Sequence, residues 1–346
     1  LQVSPGTYTL IFQYIGYVKT EQQVIASDAN TTLNIQLAEE LTDLDVVVID
    51  ANKEDYAYTV IRKAIEMRQI HLEEISGYSC SVYMKGMQKL VEAPDQIMGI
   101  QLNTILDVDS NNTGIVYLSE SSSSYYFHQP DKTKEIMHAS KVSGSNSAFS
   151  WNDASGMQMN FYENLETLEG FSQRGFISPI ADNALFFYSY HLLGQRYSNG
   201  HSIYKIEVTP KRKTDPAYAG IIYITDDGYR IFGLQLLLTK ANGVEFLDTF
   251  RVEQEYFYPD PEHIVLLTTR FSFTYDFFSV RGNGYFHAHY SNYALNPEFP
   301  DNFFTGEVTK IEAGANKQDS VFWEKTRPMQ LTEEEQQDYF EKDALA

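Results

Sequence analysis

The chain is poor in cysteine, poor in positive charge, and free of long apolar runs. Cys80 is the single cysteine among 346 residues, so no internal disulfide can form, and one thiol does not settle the redox compartment. Twenty-six Lys and Arg stand against 47 Asp and Glu, a formal net charge of −21. Such a surface repels the phosphates of nucleic acid and cannot dock on an anionic lipid surface through charge alone. No apolar run approaches the roughly 20 residues of a transmembrane helix. There is no Gly-x-Ser-x-Gly elbow, phosphate loop or dinucleotide fingerprint. Gly282-Asn283-Gly284 lacks the third glycine and reads as a turn between strands, with Asn283-Gly284 at its centre. The chain opens on Leu1 with no signal-peptide pattern, as expected of a trimmed or processed product.

What the chain has is aromatic and β-forming. Twenty-five Tyr and 22 Phe favour a sheet-rich class over a helical bundle, at a length sufficient for two domains. The organising stretch runs over residues 203–255. Tyr204, Ile206 and Val208 alternate with Lys205, Glu207 and Thr209, and Val244, Phe246, Phe250 and Val252 alternate with polar residues. Period two places one set on each face of a strand. Asp227-Gly228 and Asn242-Gly243 supply the left-handed backbone of tight hairpins, so the stretch predicts an antiparallel meander with one apolar face to be covered. Tyr229 and Ile231 sit on odd positions while Leu234, Leu236 and Leu238 sit on even ones, a slip that predicts a β-bulge at Gly233.

Elsewhere, residues 54–75 read as an amphipathic helix through Ala57, Val60, Ile61, Ala64, Ile65 and Leu72. Strands are expected at 115–119, 125–128, 135–140, 264–275 and 284–291, with Ser119–Ser124 as a polar turn or strand edge. Short helices are expected at 160–168 and 184–193. Thr332-Glu333-Glu334-Glu335 is a capping box opening a last helix, polar nearly all round and read as a boundary element leading out of the domain.

Few residues carry recognisable chemistry. His71 and Glu74 have the His-x-x-Glu spacing of zinc carboxypeptidases, with His191 or His201 as third ligand, but that chemistry needs an α/β scaffold; a solvated surface pair is the expectation. His287 and His289 share the polar side of a strand whose other side carries Phe286, Ala288 and Tyr290, so they too read as solvent-facing. The stretch from Asp107 to Asn112 begins like a calcium loop but has Asn112 where Gly is needed and Leu118 where the bidentate Glu belongs. Asp248 falls on the apolar face beside Phe246 and Phe250, and a buried carboxylate demands a partner, such as Arg270 or a backbone amide. Phe271, Phe273, Tyr275 and Phe277 form an aromatic stripe that packs a core or lines a cradle. Cys80 shares a face with Val82 and Met84 and reads as a small core residue. Neither a metal nor a cofactor is expected.

Two resemblances add to this. The stretches PGTYTLIFQYIGYVKTEQQV, TTLNIQL and LTDLDVVV resemble the carboxypeptidase-regulatory-like module, a small transthyretin-like or immunoglobulin-like sandwich common at the periplasmic end of outer-membrane proteins in the Bacteroidota. Its usual leading strands are absent, as expected either of an incomplete sandwich or of residues cut off upstream. FYENLETLEGFSQRGFISPIADNALFFYSYHLLG, YKIEVTPKRKTDPAYAGIIYITDDGYRI and FWEKTRPMQLTEEEQQDYFEKD resemble one long family of unknown function in the same envelopes. In it a membrane β-barrel follows the motif matched by Trp323, Arg327, Pro328, Thr332, Glu335 and Tyr339. More weakly, the meander resembles the half-open barrel of periplasmic lipoprotein carriers, in which a curved sheet wraps helices and cradles acyl chains.

The expected architecture is mainly β, α+β: a sandwich over 1–50, a linking helix over 51–76, an antiparallel half-barrel over 77–320, and a C-terminal helix over 321–346 leading toward a barrel. The expected function is a non-enzymatic binding or scaffolding module on the periplasmic side of the outer membrane. Asp248, Phe246, Phe250, Phe271, Phe273 and Tyr275 are the candidate lining of a cradle for a lipid or other hydrophobic ligand. The alternatives are an assembly module pairing with an envelope protein by strand addition, and a hydrolase directed at glycan or peptidoglycan.

Overall fold

The computed structural model describes residues 4–12, 17, 20–27, 33–38, 54–97, 99–101, 108–109, 111–144, 153–168, 170–172, 174–198, 201–277 and 279–343. The alternating pattern folds as one large, open, curved sheet of eleven strands. In chain order its strands are β3 (Gly77–Glu92), β4 (Gly114–His128), β5 (Lys132–Gly144), β6 (Tyr188–Ser198), β7 (His201–Pro210), β8 (Ala219–Thr225) and β9 (Ile231–Thr239). They continue as β10 (Thr249–Phe257), β11 (Val265–Phe277), β12 (Val280–Leu295) and β13 (Thr309–Ile311). The spatial order is β6-β7-β8-β9-β10-β11-β12-β3-β4-β5-β13; every neighbouring pair is antiparallel except the parallel β13–β5 contact. The meander from β6 to β12 follows sequence order, as its short hairpins require.

One face is apolar throughout. Val82 and Met84 of β3, Ile206 and Val208 of β7, Leu234, Leu236 and Leu238 of β9, and Phe286, Ala288 and Tyr290 of β12 are all buried on it. Helix α1 (Tyr56–Glu73) crosses this inner face and buries Ala57, Val60, Ile61 and Ala64 against it. Asp55 caps α1 by accepting from the Ala57 amide at 2.9 Å. The irregular segment 153–187 covers more of the face with Met157, Phe161, Phe176 and Ile180, all buried. Arg68 ties the two covers together, donating to the Tyr162 carbonyl and to Asp182 Oδ1 at 2.7 Å.

The predicted helix holds, and so does the bulge. Tyr223 pairs with Gly233 but Ile224 with Ile231, so Phe232 is skipped and turns to the outer face against Tyr223 and Ile203. Three expectations fail. Residues 160–168 form turns with a two-residue strand, and only Ala184–Phe187 are helical; from Tyr188 the run becomes edge strand β6, because Tyr188 and Tyr190 bury alternately on the inner face. Pairing with β7 overrides a local pattern that suits either state. Ser119–Ser124 lie in the middle of the 15-residue strand β4, not at a turn. Asn283-Gly284 lies inside β12; a Cβ on Gly284 would meet the Phe273 ring at 2.6 Å, so the glycine makes room for the ring. The β11–β12 reversal falls between Phe277 and Val280, where Ser279 takes φ 63°.

In the first 50 residues a two-stranded hairpin is described, β1 (Gly6–Phe12) with β2 (Thr20–Ala26). Leu33–Leu37 alternates in exposure but pairs with no strand among the described residues, and the expected strand Val46–Ile49 lies outside them. The Asp109 carboxylate accepts from the Asn111 amide and from the Thr113 amide and hydroxyl, at 2.8–2.9 Å, closing an Asx-type turn. Asp107 lies outside the described residues.

Cys80 sits on the inner face, 4% exposed, and burial, aided by Glu135, pushes its thiol up to about 12. Thiolate is the reactive form. Iodoacetamide at pH 8 is therefore expected to leave the native protein unmodified and to alkylate Cys80 only in urea. Native-state mass spectrometry showing stoichiometric alkylation within minutes would contradict this burial.

Candidate functional site

The covers on the inner face leave part of β4 and β5 open. There a cleft of about 400 Å³ remains, floored by Ser119 and Ser121 of β4 and Ser140 of β5. Met84, Tyr117 and Met137 form apolar walls, and Asp153, Thr309 and Ile311 stand at the mouth. The serines explain the space: small side chains in a central strand leave volume that Val or Leu would fill. Gly86 adds to the effect, since a Cβ there would meet the Phe286 ring at 2.4 Å and Ser119 Oγ at 3.2 Å. One wall is anchored by a buried carboxyl. Glu135 accepts from Ser123 Oγ at 2.6 Å and from the Ala154 amide at 2.8 Å, which fixes where segment 153–157 leaves the sheet. Burial holds the Glu135 pKa above the ordinary carboxylate range against those two donors. The rim carries exposed apolar side chains, Val142 at 47% and Ile311 at 64% exposure. No histidine or cysteine lines the cleft among the described residues.

Part of the outer face of β3, β4 and β5 is closed by the C-terminal segment. Helix α2 (Ser320–Thr326) buries Trp323 against Tyr83 and Ala139, and α3 (Glu333–Asp343) buries Tyr339 against Ile115 and Leu118. Beneath them, Glu120 is fully enclosed and takes a bidentate pair of bonds from Arg327, both 2.6 Å, and a third from Tyr83 OH at 2.6 Å. Lys85, 2% exposed, donates to Glu335 Oε2 at 2.8 Å, and Tyr285 donates to Glu335 Oε1. The capping box forms as expected, with Thr332 and Glu335 exchanging bonds. The expectation of a polar boundary element is corrected, however. Two polar residues of α3 are buried on the sheet, Glu335 against Lys85 and Asp338 against Ser143, partners that helical periodicity cannot reveal.

The residues singled out from the sequence disperse. Phe250, Phe271 and Phe273 are buried in the core under α1 and segment 153–187, with Phe250 and Phe271 ring centroids 5.3 Å apart. Tyr275 is partly buried and stacks on Phe273. Phe246 takes φ 64° and stands 56% exposed against Phe277, while Leu247 is buried in its place. This one-residue slip leaves Asp248 partly exposed ahead of β10, its amide bonded to the Thr274 carbonyl. The expected Arg270 partner lies elsewhere: Arg270 pairs in register with Glu253 and His287 and stacks on the Tyr285 ring. His71 is buried rather than solvated, its Nε2 against the Gly228 carbonyl at 2.7 Å, and burial lowers its pKa. His191 instead bonds Asp55, and His201 lies by Asp227. The cleft escaped sequence reading because its signal, a run of small polar residues, is also a turn signal.

A family model described as DUF5686, a family of unknown function, matches residues 60–293, from α1 to β12. The chain belongs to that family. This agrees with the long resemblance drawn from the sequence. No curated protein matches the chain. Among solved structures it is similar to a putative outer membrane lipoprotein-sorting protein domain from Vibrio parahaemolyticus: 13% identity, 72% of this chain and 97% of that one, TM-score 0.31. A LolA superfamily protein from Nitrosomonas europaea gives 13% identity over 72% and 97%, TM-score 0.25. A chain of the Pseudomonas aeruginosa MucA/MucB complex gives 8% over 70% and 99%, TM-score 0.19.

Proposed function

We propose that this DUF5686 member is a binding module on the periplasmic side of the outer membrane, and that its serine-floored cleft holds one hydrophobic segment of a ligand. The cleft itself carries the reading: apolar walls, small polar floor and an exposed apolar rim, with the rest of the inner face already filled by α1 and segment 153–187. A volume of about 400 Å³ lies in the range of small-ligand sites and suits one acyl chain rather than several. The envelope location is supported by the acidic surface and by the family resemblance of the sequence.

A second reading has its own observation. β13 pairs only with Glu135–Met137, so the β5 edge from His138 to Gly144 has no β13 residue opposite it. An extended segment of an envelope partner could add there as a strand beside the cleft.

Titration with a fluorescent fatty acid tests the first reading, with native mass spectrometry of protein from an envelope-containing host. Ser121→Phe fills the floor and is expected to weaken binding at least tenfold while the fold survives. Equal binding by wild type and Ser121→Phe, or none by either, would reject the cleft as the site. Peptide capture unaffected by Ser121→Phe would favour strand addition.

A further inference from the structure

The outer face of the same sheet holds a hydrogen-bonded chain that the cleft does not use. Ser124 Oγ lies 2.8 Å from His138 Nε2, and His138 Nδ1 lies 3.0 Å from Glu312 Oε2. An ionised carboxylate can only accept, so Nδ1 carries the proton toward Glu312. In the neutral imidazole Nε2 is then the acceptor, and it faces the serine hydroxyl. Nucleophile, base and orienting carboxylate thus stand in the order and at the separations that serine acyl-transfer sites require, whatever their order along the chain.

Three features of the fold assemble this arrangement. The β4–β5 register passes from Ser122–Ala139 directly to Ser123–Met137, so His138 is a bulged residue with no partner opposite. Bulges re-aim side chains, and this one brings the imidazole beside Ser124. The parallel pairing of β13 with β5 then delivers Glu312, whose amide donates to the Met137 carbonyl at 3.0 Å. On the other side, β3 sets Ser81 directly across from Ser124, and the Asn292 amide donates to Ser81 Oγ at 3.3 Å. That bond leaves the Ser81 O–H to donate in turn.

We propose that Ser124, His138 and Glu312 form a nucleophilic site that cleaves small O-acyl esters. Ser124 Oγ gives its proton to His138 Nε2 and attacks the ester carbonyl carbon. Ser81 donates a hydrogen bond to the oxyanion that develops. The C–O bond to the alcohol breaks, and the departing oxygen takes the proton from Nε2. Water, deprotonated by Nε2 in the same way, then attacks the acyl-serine; the bond to Ser124 Oγ breaks, Oγ takes the proton back from Nε2, and the carboxylic acid leaves. Ser124 and His138 are the catalytic residues; Glu312 is a positioning residue. The His138 and Glu312 side chains are 41% and 50% exposed, so the site takes short acyl groups and turns over slowly, because nothing excludes water from it. It lies on the face opposite the cleft and is independent of the ligand reading.

The test uses the full chain with a fluorophosphonate probe and with p-nitrophenyl acetate. Peptide mapping is expected to place the phosphonyl adduct on Ser124. Ser124→Ala and His138→Ala should each lower labelling and ester hydrolysis at least tenfold. Glu312→Gln should lower kcat with KM unchanged, which a merely structural loss would not do selectively. Circular dichroism establishes that each variant is folded. Absence of a Ser124 adduct in the folded wild type, or labelling that survives His138→Ala, would overturn the proposal.

Discussion

Arg327→Ala is expected to destabilise the protein by about 3–5 kcal/mol, the cost of stranding a buried charge. The Glu120 side chain has no exposed surface, and two of its three bonds come from the Arg327 guanidinium; only Tyr83 would remain. The loss should also loosen α2, because Arg327 is the residue at which that helix ends over Trp323. The double variant Glu120→Met/Arg327→Met removes both charges and is expected to recover most of the loss, since apolar replacements of a buried pair are often neutral. Urea unfolding of the wild type, the single and the double variant gives the comparison. An Arg327→Ala variant within about 1 kcal/mol of wild type, the range of an exposed pair, would show that the C-terminal helices do not close over Glu120 in solution.

The second large effect is a pH dependence. Glu166 lies in the short strand Leu165–Glu166, 7% exposed, and burial pushes its carboxyl up to about 8, with the Glu163 charge adding to it against a bond from the Asn160 amide. Tyr218 and Tyr256 are close enough to feel its charge. The sign follows from proton counting. Between the ordinary value of 4.5 and about 8 the native protein binds a proton that the unfolded chain releases. Stability is therefore fully present below pH 4.5 and falls as pH rises toward 8, by at most about 5 kcal/mol at 1.36 kcal/mol per unit. Glu166→Gln keeps the shape without the charge. It should match the wild type near pH 5 and exceed it by several kcal/mol near pH 8.5, read as the difference between two urea series. Parallel pH profiles for the two proteins would show Glu166 to be ionised and solvated in the native state.

Much of the sheet was legible from residues near one another in the chain. Tyr204, Ile206 and Val208 face inward as their alternation requires, and Asp227-Gly228 turns the chain where expected, with Gly228 at φ 74°. The slip around Gly233 is visible because Ile231 and Leu234 cannot both face the core without an extra residue between them. The cradle residues were harder. Phe250, Phe271 and Phe273 belong to an apolar face, but whether such a face meets a ligand or the protein's own helix depends on what crosses it. Segment 153–187, which does cross it, has almost no regular structure and so no periodicity to read. Asp248 was misplaced because a left-handed Phe246 shifts the phase, and nothing in the side chain of a phenylalanine announces that backbone.

By itself the sequence determined that the chain is an acidic, antiparallel, aromatic-rich sheet with an amphipathic helix to cover it, because period, turn chemistry and charge are properties of neighbouring residues. Only the tertiary structure decided that Ser119, Ser121 and Ser140 floor a cleft, that Glu120 meets Arg327, and that Ser124 meets His138 and Glu312. Two of these constellations join strand β4 to residues near the far end of the chain, and the third depends on which strand lies beside β4. Each is set by sheet register and bulges, so local pattern carries no trace of it.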